Sequence, residues 1–115
     1  MIPSNPDSRL KSFEEFWPFY VREHSHPTNR TLHFIGSTFG LVCLMILVST
    51  GILWFFPLGL ALGYGFAWVG HFFIERNKPA SFKYPLWSFR ADWKMWALIL
   101  IGRMEPEVRR ANERA

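Results

Sequence analysis

Five side chains in this sequence could do chemistry, and all of them lie in or beside its apolar centre. They are four imidazoles and one carboxylate, namely His24, His26, His33, His71 and Glu75. Neutral imidazole and carboxylate are the usual ligands of borderline divalent metals, and a few histidines with a carboxylate and open positions describe a non-haem Fe(II) oxygenase site. Zinc accepts similar ligands. A lone histidine, however, is more often a hydrogen-bonded structural residue, so a structural polar network is the alternative.

The apolar centre must position these residues, and it predicts two membrane-spanning helices. From Phe34 to Ile74 there are 41 residues without Asp, Glu, Lys or Arg, whereas one bilayer crossing needs about 20 apolar residues. We expect an all-α membrane protein, with a single membrane domain over residues 1–115. It contains a two-span antiparallel helical hairpin, residues 30–54 and 57–76, flanked by amphipathic or interfacial helices. The first 32 residues are polar and aromatic rather than signal-like, so we expect the spans to be permanent.

Small residues in the two spans indicate where the histidines lie. Each span carries two glycines four residues apart, beginning at Gly36 and at Gly59, and this spacing lets two helix backbones approach closely in lipid. His33 precedes Gly36 by three residues, and His71 follows Gly59 by twelve. Each histidine therefore shares a helix face with the glycines, and an antiparallel hairpin brings His33 and His71 together at one end. This convergence favours a metal site.

Residues 12–24 predict a short amphipathic helix on the membrane surface. Ser12 and Glu15 have the spacing of a capping box, and Thr28 or Asn29 is expected to cap the next helix, which enters the first span. The aromatic stripe of the short helix consists of Phe13, Phe16, Trp17 and Tyr20.

A third apolar stretch, residues 89–101, is too short to span a bilayer, so an interfacial or re-entrant helix is expected. Ser88 is expected to cap this helix and Gly102 to end it. Residues 103–115 form a charged tail. Cys43 has no partner cysteine in the chain, so we expect it to be a small buried hydrophobic residue.

The charge distribution indicates orientation and partners. Of the 13 Lys and Arg residues, four precede Phe34 and nine follow Ile74, while the turn between the spans has none. Both termini are therefore expected to face the cytoplasm. Basic residues that flank apolar spans contact anionic lipid headgroups, which argues against nucleic acid as a partner. The compact size favours a bacterial inner membrane, and the sequence allows an oligomer.

The histidines also carry a family resemblance. From about Phe13 to Gly102, the chain resembles small membrane proteins related to the 2-hydroxy fatty acid dioxygenase of phytosphingosine breakdown. The residues that carry it are Phe19, Tyr20, His24, Asn29, Arg30, His33, Gly36, Gly70, His71, Glu75, Asn77, Pro79, Ala80, Pro85 and Ser88.

The resemblance implies an Fe(II)-dependent dioxygenase that uses O2 to shorten a 2-hydroxy fatty acid by one carbon and releases carbon dioxide. It implies that His24, His33 and His71 are the essential histidines and metal ligands. His26 lies outside the pattern.

The remaining candidate residues are expected to act around these three ligands. Glu75 is a candidate fourth ligand, and Tyr20 and Asn29 are expected to support the ligand histidines. The substrate carboxylate is expected to be attracted by Arg30, Arg76 or Lys78.

Two alternative functions stay open. One is a zinc-dependent membrane hydrolase with Glu75 as general base. The other is a noncatalytic membrane protein whose histidine network fixes the register of the hairpin.

Overall fold

Regular structure in the computed structural model, which describes residues 10–113, is entirely helical. Helix α3 continues into a π-helical segment, Gly70–Glu75, and a single 3-10 turn, Ala80–Phe82, precedes α4. No strand occurs between residues 10 and 113, which confirms the all-α prediction. The five α-helices are α1 Phe13–Arg22, α2 Pro27–Thr50, α3 Phe55–Val69, α4 Pro85–Leu100 and α5 Met104–Glu113.

Contacts divide the chain into two compact units. The first contains the described residues up to Ser25 together with those from Ala80 onward, and the second contains His26–Pro79. In the first unit α1 packs against α4 and α5, and in the second α2 packs against α3 and the π-helical segment.

Two helices of the second unit are long and apolar enough to cross a membrane. They are Pro27–Thr50 and Phe55–Glu75, the latter formed by α3 and the π-helical segment together. Large apolar side chains on both stay exposed, as at Val48 and Phe73, and a surface of this kind fits hydrocarbon better than water. Length and composition therefore support membrane association.

Glycines lie where α2 contacts α3. A Cβ atom built on Gly36 would stand 2.8 Å from the Cβ atom of Phe66 and 3.1 Å from the carbonyl oxygen of Gly63. A Cβ atom on Gly40 would be 3.4 Å from the carbonyl oxygen of Gly59. The predicted small-residue contact is therefore confirmed. Cys43 is buried beside Gly59, as expected.

Helix α2 begins earlier than the sequence analysis predicts. Its N-cap is His26, whose Nδ1 accepts a hydrogen bond from the backbone N–H of Thr28 at 3.2 Å. The prediction that Thr28 or Asn29 caps this helix is therefore wrong. Pro27 explains the difference, because its fixed φ and missing N–H suit the first position of a helix. Asn29 lies inside the helix instead, and it is fully buried.

The aromatic stripe of α1 forms the core of the first unit. Phe16 and Tyr20 are completely buried, and Phe13 and Trp17 nearly so. The predicted N-cap is confirmed, since Ser12 Oγ accepts from the backbone N–H of Glu15. The aromatic rings pack within the unit, and the position of this helix on the membrane surface stays a prediction. A single amphipathic segment shows which face is apolar, and it does not show what covers that face.

Helix α4 starts earlier than predicted, and a further helix, α5, follows it. Helix α4 begins at Pro85, again a proline at the first helical position, so the prediction that Ser88 caps it is wrong. Ser88 lies one turn inside and is buried. Gly102, at φ 73°, ends α4 as predicted, with the backbone N–H of Arg103 donating to the carbonyl oxygen of Leu98. Helix α5 then takes up Met104–Glu113 of the predicted charged tail.

An acidic residue of α4 lies against α1. Tyr20 donates its hydroxyl hydrogen to Asp92 Oδ1 at 2.5 Å. Burial raises the pKa of Asp92 from 3.8 to about 7, although the hydrogen bond from Tyr20 acts in the opposite direction. The folded chain therefore holds a proton on Asp92 that the unfolded chain has lost between these two pH values.

Stability should consequently fall as pH rises from about 4 to 7, by as much as about 4 kcal/mol, and then stop changing through this group. The free energy of unfolding of the full chain in detergent, measured at intervals across this range, checks the slope. Asp92→Asn removes the titrating group and should flatten the curve. An equal slope in wild type and variant would contradict the prediction.

Candidate metal centre

His33 and His71 meet in the second unit. His33 lies on α2 and His71 in the π-helical segment, and both are buried, with 6% and 2% of their surface exposed. Their ring centroids are 5.0 Å apart and the ring planes are nearly perpendicular, at 89°. The predicted convergence of these two imidazoles is therefore confirmed.

The π-helical segment fixes the ring of His71 through Asn77. The backbone N–H of Asn77 donates to the carbonyl oxygen of His71 at 3.0 Å, while Asn77 Oδ1 lies 2.7 Å from His71 Nδ1. Arg76, at φ 60°, turns the chain back so that both contacts form. An amide oxygen can only accept, so His71 Nδ1 carries the hydrogen. The lone pair of this imidazole is therefore on Nε2, the arrangement that metal-ligating histidines usually adopt.

His24, in the first unit, also has its Nδ1 hydrogen held by an oxygen atom. It is fully buried just after α1, and its Nδ1 lies 2.7 Å from the carbonyl oxygen of Tyr20. The ring of Tyr20 stacks on the imidazole with centroids 4.1 Å apart. A carbonyl oxygen also only accepts, so Nδ1 of His24 carries its hydrogen and Nε2 has the lone pair.

Three buried histidines, His24, His33 and His71, each offer a ring nitrogen that could ligate a metal ion. In two of them an oxygen atom holds the Nδ1 hydrogen and so orients the imidazole. Neutral imidazoles suit iron, zinc, copper and nickel. The donor set therefore fits a first-row transition metal, including both the iron and the zinc considered from the sequence.

Glu75 and Asn29 join the two ends of the second unit. Glu75 Oε1 accepts from the backbone N–H of His26 at 2.6 Å and from Asn29 Nδ2 at 3.4 Å. The side chain of Asn29 also lies against Gly70, where a Cβ atom would overlap Asn29 Oδ1. Thus Glu75 satisfies a backbone donor at the start of α2. A role for Glu75 as fourth ligand, and for Asn29 as support of a histidine, stays a prediction.

The three basic candidates have different surroundings. Arg30 is buried on α2, one helical turn before His33. Arg76 and Lys78 are exposed after the π-helical segment. These positions are compatible with one inner and two outer cations near the histidine pair of this unit.

Asn77 is the residue of this site whose role the sequence analysis missed. It follows His71 by six residues, a spacing that does not place two side chains together on an α-helix. The wider turn of the π-helix and the left-handed residue after it create the contact. Helical periodicity gives no signal for it.

Asn77→Ala should lower metal affinity by about 10- to 100-fold, because His71 loses the partner that orients its ring. Anaerobic titration with Fe(II) or Co(II) measures this effect. Asn112→Ala, in the first unit, removes an exposed asparagine that donates to Val108 and Ser25. It should leave the affinity unchanged. Equal affinities in the two variants would contradict the role given to Asn77.

Comparison with known proteins agrees with the resemblance. A family model described as "2-hydroxy-palmitic acid dioxygenase Mpo1-like" matches residues 10–104. No curated protein and no solved structure matches the chain. The matched range includes every histidine, both candidate membrane helices and α4.

Proposed function

This chain belongs to the 2-hydroxy-palmitic acid dioxygenase Mpo1-like family, and we propose that it is an Fe(II)-dependent dioxygenase acting on 2-hydroxy fatty acids. The observation that supports the proposal best is the set of three buried histidines, two of which have their Nδ1 hydrogen held by an oxygen atom. A histidine network that only stabilised the fold would have no reason to give both imidazoles the same tautomer, with the lone pair on Nε2.

The reaction is an oxidative shortening by one carbon. The bond between C1 and C2 of the 2-hydroxy acid breaks, C1 leaves as carbon dioxide, and C2 becomes the carboxyl carbon of the product. Four electrons pass from the substrate to O2, so one acid and one O2 give the shorter acid, carbon dioxide and water. No further reductant is needed. Fe(II), when bound, would supply the redox chemistry by which O2 reacts with an organic acid.

In this scheme the residues of the chain hold the metal ion and orient the substrate. His24 of the first unit and His33 and His71 of the second would ligate one ion and leave positions open. Glu75 would become a fourth ligand only by exchanging its hydrogen bonds from His26 and Asn29 for the metal. Because Arg30 is buried one turn before His33, we assign it to the substrate carboxylate, with Arg76 and Lys78 attracting that carboxylate from outside.

The membrane would hold the substrate so that its headgroup lies at the depth of the histidines. In this proposal α2 and α3 form an antiparallel hairpin across the bilayer, with both termini cytoplasmic, and α4 lies in the interface. The apolar face of α4 exposes Leu86, Phe89 and Leu100, which suits an interfacial helix. The acyl chain of the substrate would then stay in lipid while its headgroup reaches the histidines. A bacterial inner membrane stays the predicted location.

An oxygen-dependence assay tests the function. Protein purified anaerobically in detergent is loaded with Fe(II) and given 2-hydroxypalmitic acid labelled at C1. We expect labelled carbon dioxide and the 15-carbon acid in equal amounts only after O2 is admitted, and none from palmitic acid, which lacks the 2-hydroxyl.

Metal content separates the alternatives. Stoichiometric zinc without any O2-dependent product would support the membrane hydrolase instead. A chain that folds and binds no metal would support the structural network.

A further inference from the structure

Asp92 is the acidic residue of α4, and the scheme above gives it no role. It lies on α4, partly buried, and its Oδ1 accepts the hydroxyl hydrogen of Tyr20 at 2.5 Å. Tyr20 lies on α1 and is completely buried. This hydrogen bond joins α4 to α1, and it is charge-assisted, and therefore stronger, when the carboxylate of Asp92 is ionised.

Tyr20 touches His24 in two further ways. Its main-chain carbonyl oxygen accepts from His24 Nδ1 at 2.7 Å. Its ring also stacks on the imidazole, with centroids 4.1 Å apart and planes 28° from parallel. The phenol ring therefore covers one face of His24, and Asp92 holds the far end of that phenol. All three residues belong to the first unit, so a continuous set of contacts runs from α4 through α1 to the imidazole.

These contacts have a consequence for a metal ligand. An imidazole that binds a cation gains positive charge, and an aromatic face in contact with it stabilises that charge. The hydrogen bond to Asp92 fixes the position of the phenol ring, and an ionised carboxylate also makes that ring more electron-rich. We infer that Asp92 is a positioning residue of the metal centre, which acts through Tyr20 to fix the ring of His24. This inference rests on the proposed role of His24 as a ligand.

A purely structural role is the competing explanation, and the first unit contains a matched contact for comparison. Trp17 Nε1, also on α1, donates to Glu107 Oε1 on α5 at 2.7 Å. Both contacts join an aromatic donor of α1 to a carboxylate of a neighbouring helix. Trp17 stacks on Tyr20, with ring centroids 5.7 Å apart, but Asp92 bonds directly to the ring that covers His24, whereas Glu107 is one ring further away. Glu107→Gln is therefore the control for Asp92→Asn, since each change replaces a carboxyl group by an amide and keeps an oxygen acceptor.

Titration of the full chain in detergent with Co(II), which reports ligand geometry through its visible absorption, tests the inference. We expect Asp92→Asn and Tyr20→Phe to lower Co(II) affinity about 10-fold or more and to change the absorption bands. Glu107→Gln should stay within about twofold of wild type. Tyr20→Phe keeps the ring and removes only the hydroxyl, so it provides the test if Asp92→Asn does not fold.

Equal affinities and spectra in Asp92→Asn and Glu107→Gln would overturn the inference, even if both variants lose stability. A wild-type chain that binds Co(II) but releases no carbon dioxide when loaded with iron would defeat the proposed dioxygenase alone. Unchanged Co(II) binding in both test variants of an active enzyme would defeat the role of Asp92 alone. A wild-type chain that binds no Co(II) overturns both.

Discussion

Replacing His71 with glutamine should abolish stoichiometric metal binding and reduce carbon dioxide release by at least about 100-fold. His71 is 2% exposed, its ring lies against that of His33, and its Nδ1 is held by Asn77. Glutamine fills much of the same space and cannot present the same nitrogen lone pair. Metal analysis after anaerobic purification measures the first effect, and labelled carbon dioxide from 2-hydroxypalmitic acid measures the second.

His26→Asn is the matched control for this change. His26 is exposed, and its imidazole caps α2 by accepting from Thr28 N–H. Asparagine is also a good N-cap, so helix α2 keeps its start. The control should keep metal and activity, and circular dichroism should show wild-type helix content in both variants. Full metal occupancy and undiminished activity in a folded His71→Gln protein would contradict a metal centre formed by the three histidines.

The contact between His33 and His71 could be predicted because it follows from regular helical spacing on both helices. On an α-helix a residue three or four positions from a glycine shares its face, and the glycines mark the side where α2 and α3 touch. His33 and Gly36 follow this rule directly. Helical spacing therefore carried enough information to place two of the three histidines together in the second unit.

The details around His71 could not be predicted in the same way. The π-helical segment changes the number of residues per turn, and the left-handed conformation of Arg76 reverses the chain. Both depend on tertiary packing, here on Asn29 against Gly70 and on Glu75 at the start of α2. Sequence periodicity assumes a regular helix, so it gave Glu75 as a ligand candidate and gave no role to Asn77.

The helix starts, and the partners of α1 in the first unit, show a second limit of prediction from sequence. Pro27 and Pro85 each begin a helix. In both cases the expected cap was a polar residue further along, Thr28 or Asn29 for the first helix and Ser88 for the second. The apolar face of α1 was evident, but its partners come from α4 and α5, more than 60 residues later in the chain. Local patterns show that a face must be covered, and only the fold shows by what.

Close approach of α2 and α3 should make Gly36→Ala destabilising by about 1 to 3 kcal/mol. The added methyl would stand 2.8 Å from the Cβ atom of Phe66 and 3.1 Å from the carbonyl oxygens of Leu62 and Gly63. Backbone atoms and a Cβ atom cannot swing away as the end of a flexible side chain can, so the helices must separate. Since His33 lies one turn from Gly36, metal affinity should fall together with stability.

Gly65→Ala makes the same chemical change on α3, but there the added Cβ has no atom within 4 Å beyond its chain neighbours and the backbone of its own helix. Alanine favours the helix over glycine by up to about 1 kcal/mol, so this variant should be neutral or slightly stabilised and should bind metal normally. Unfolding of both variants by SDS in mixed micelles, followed by circular dichroism, gives the comparison. If Gly36→Ala unfolds at the same SDS fraction as Gly65→Ala, the glycine contact does not limit the distance between the helices. The pairing of His33 with His71 would then need a different physical origin.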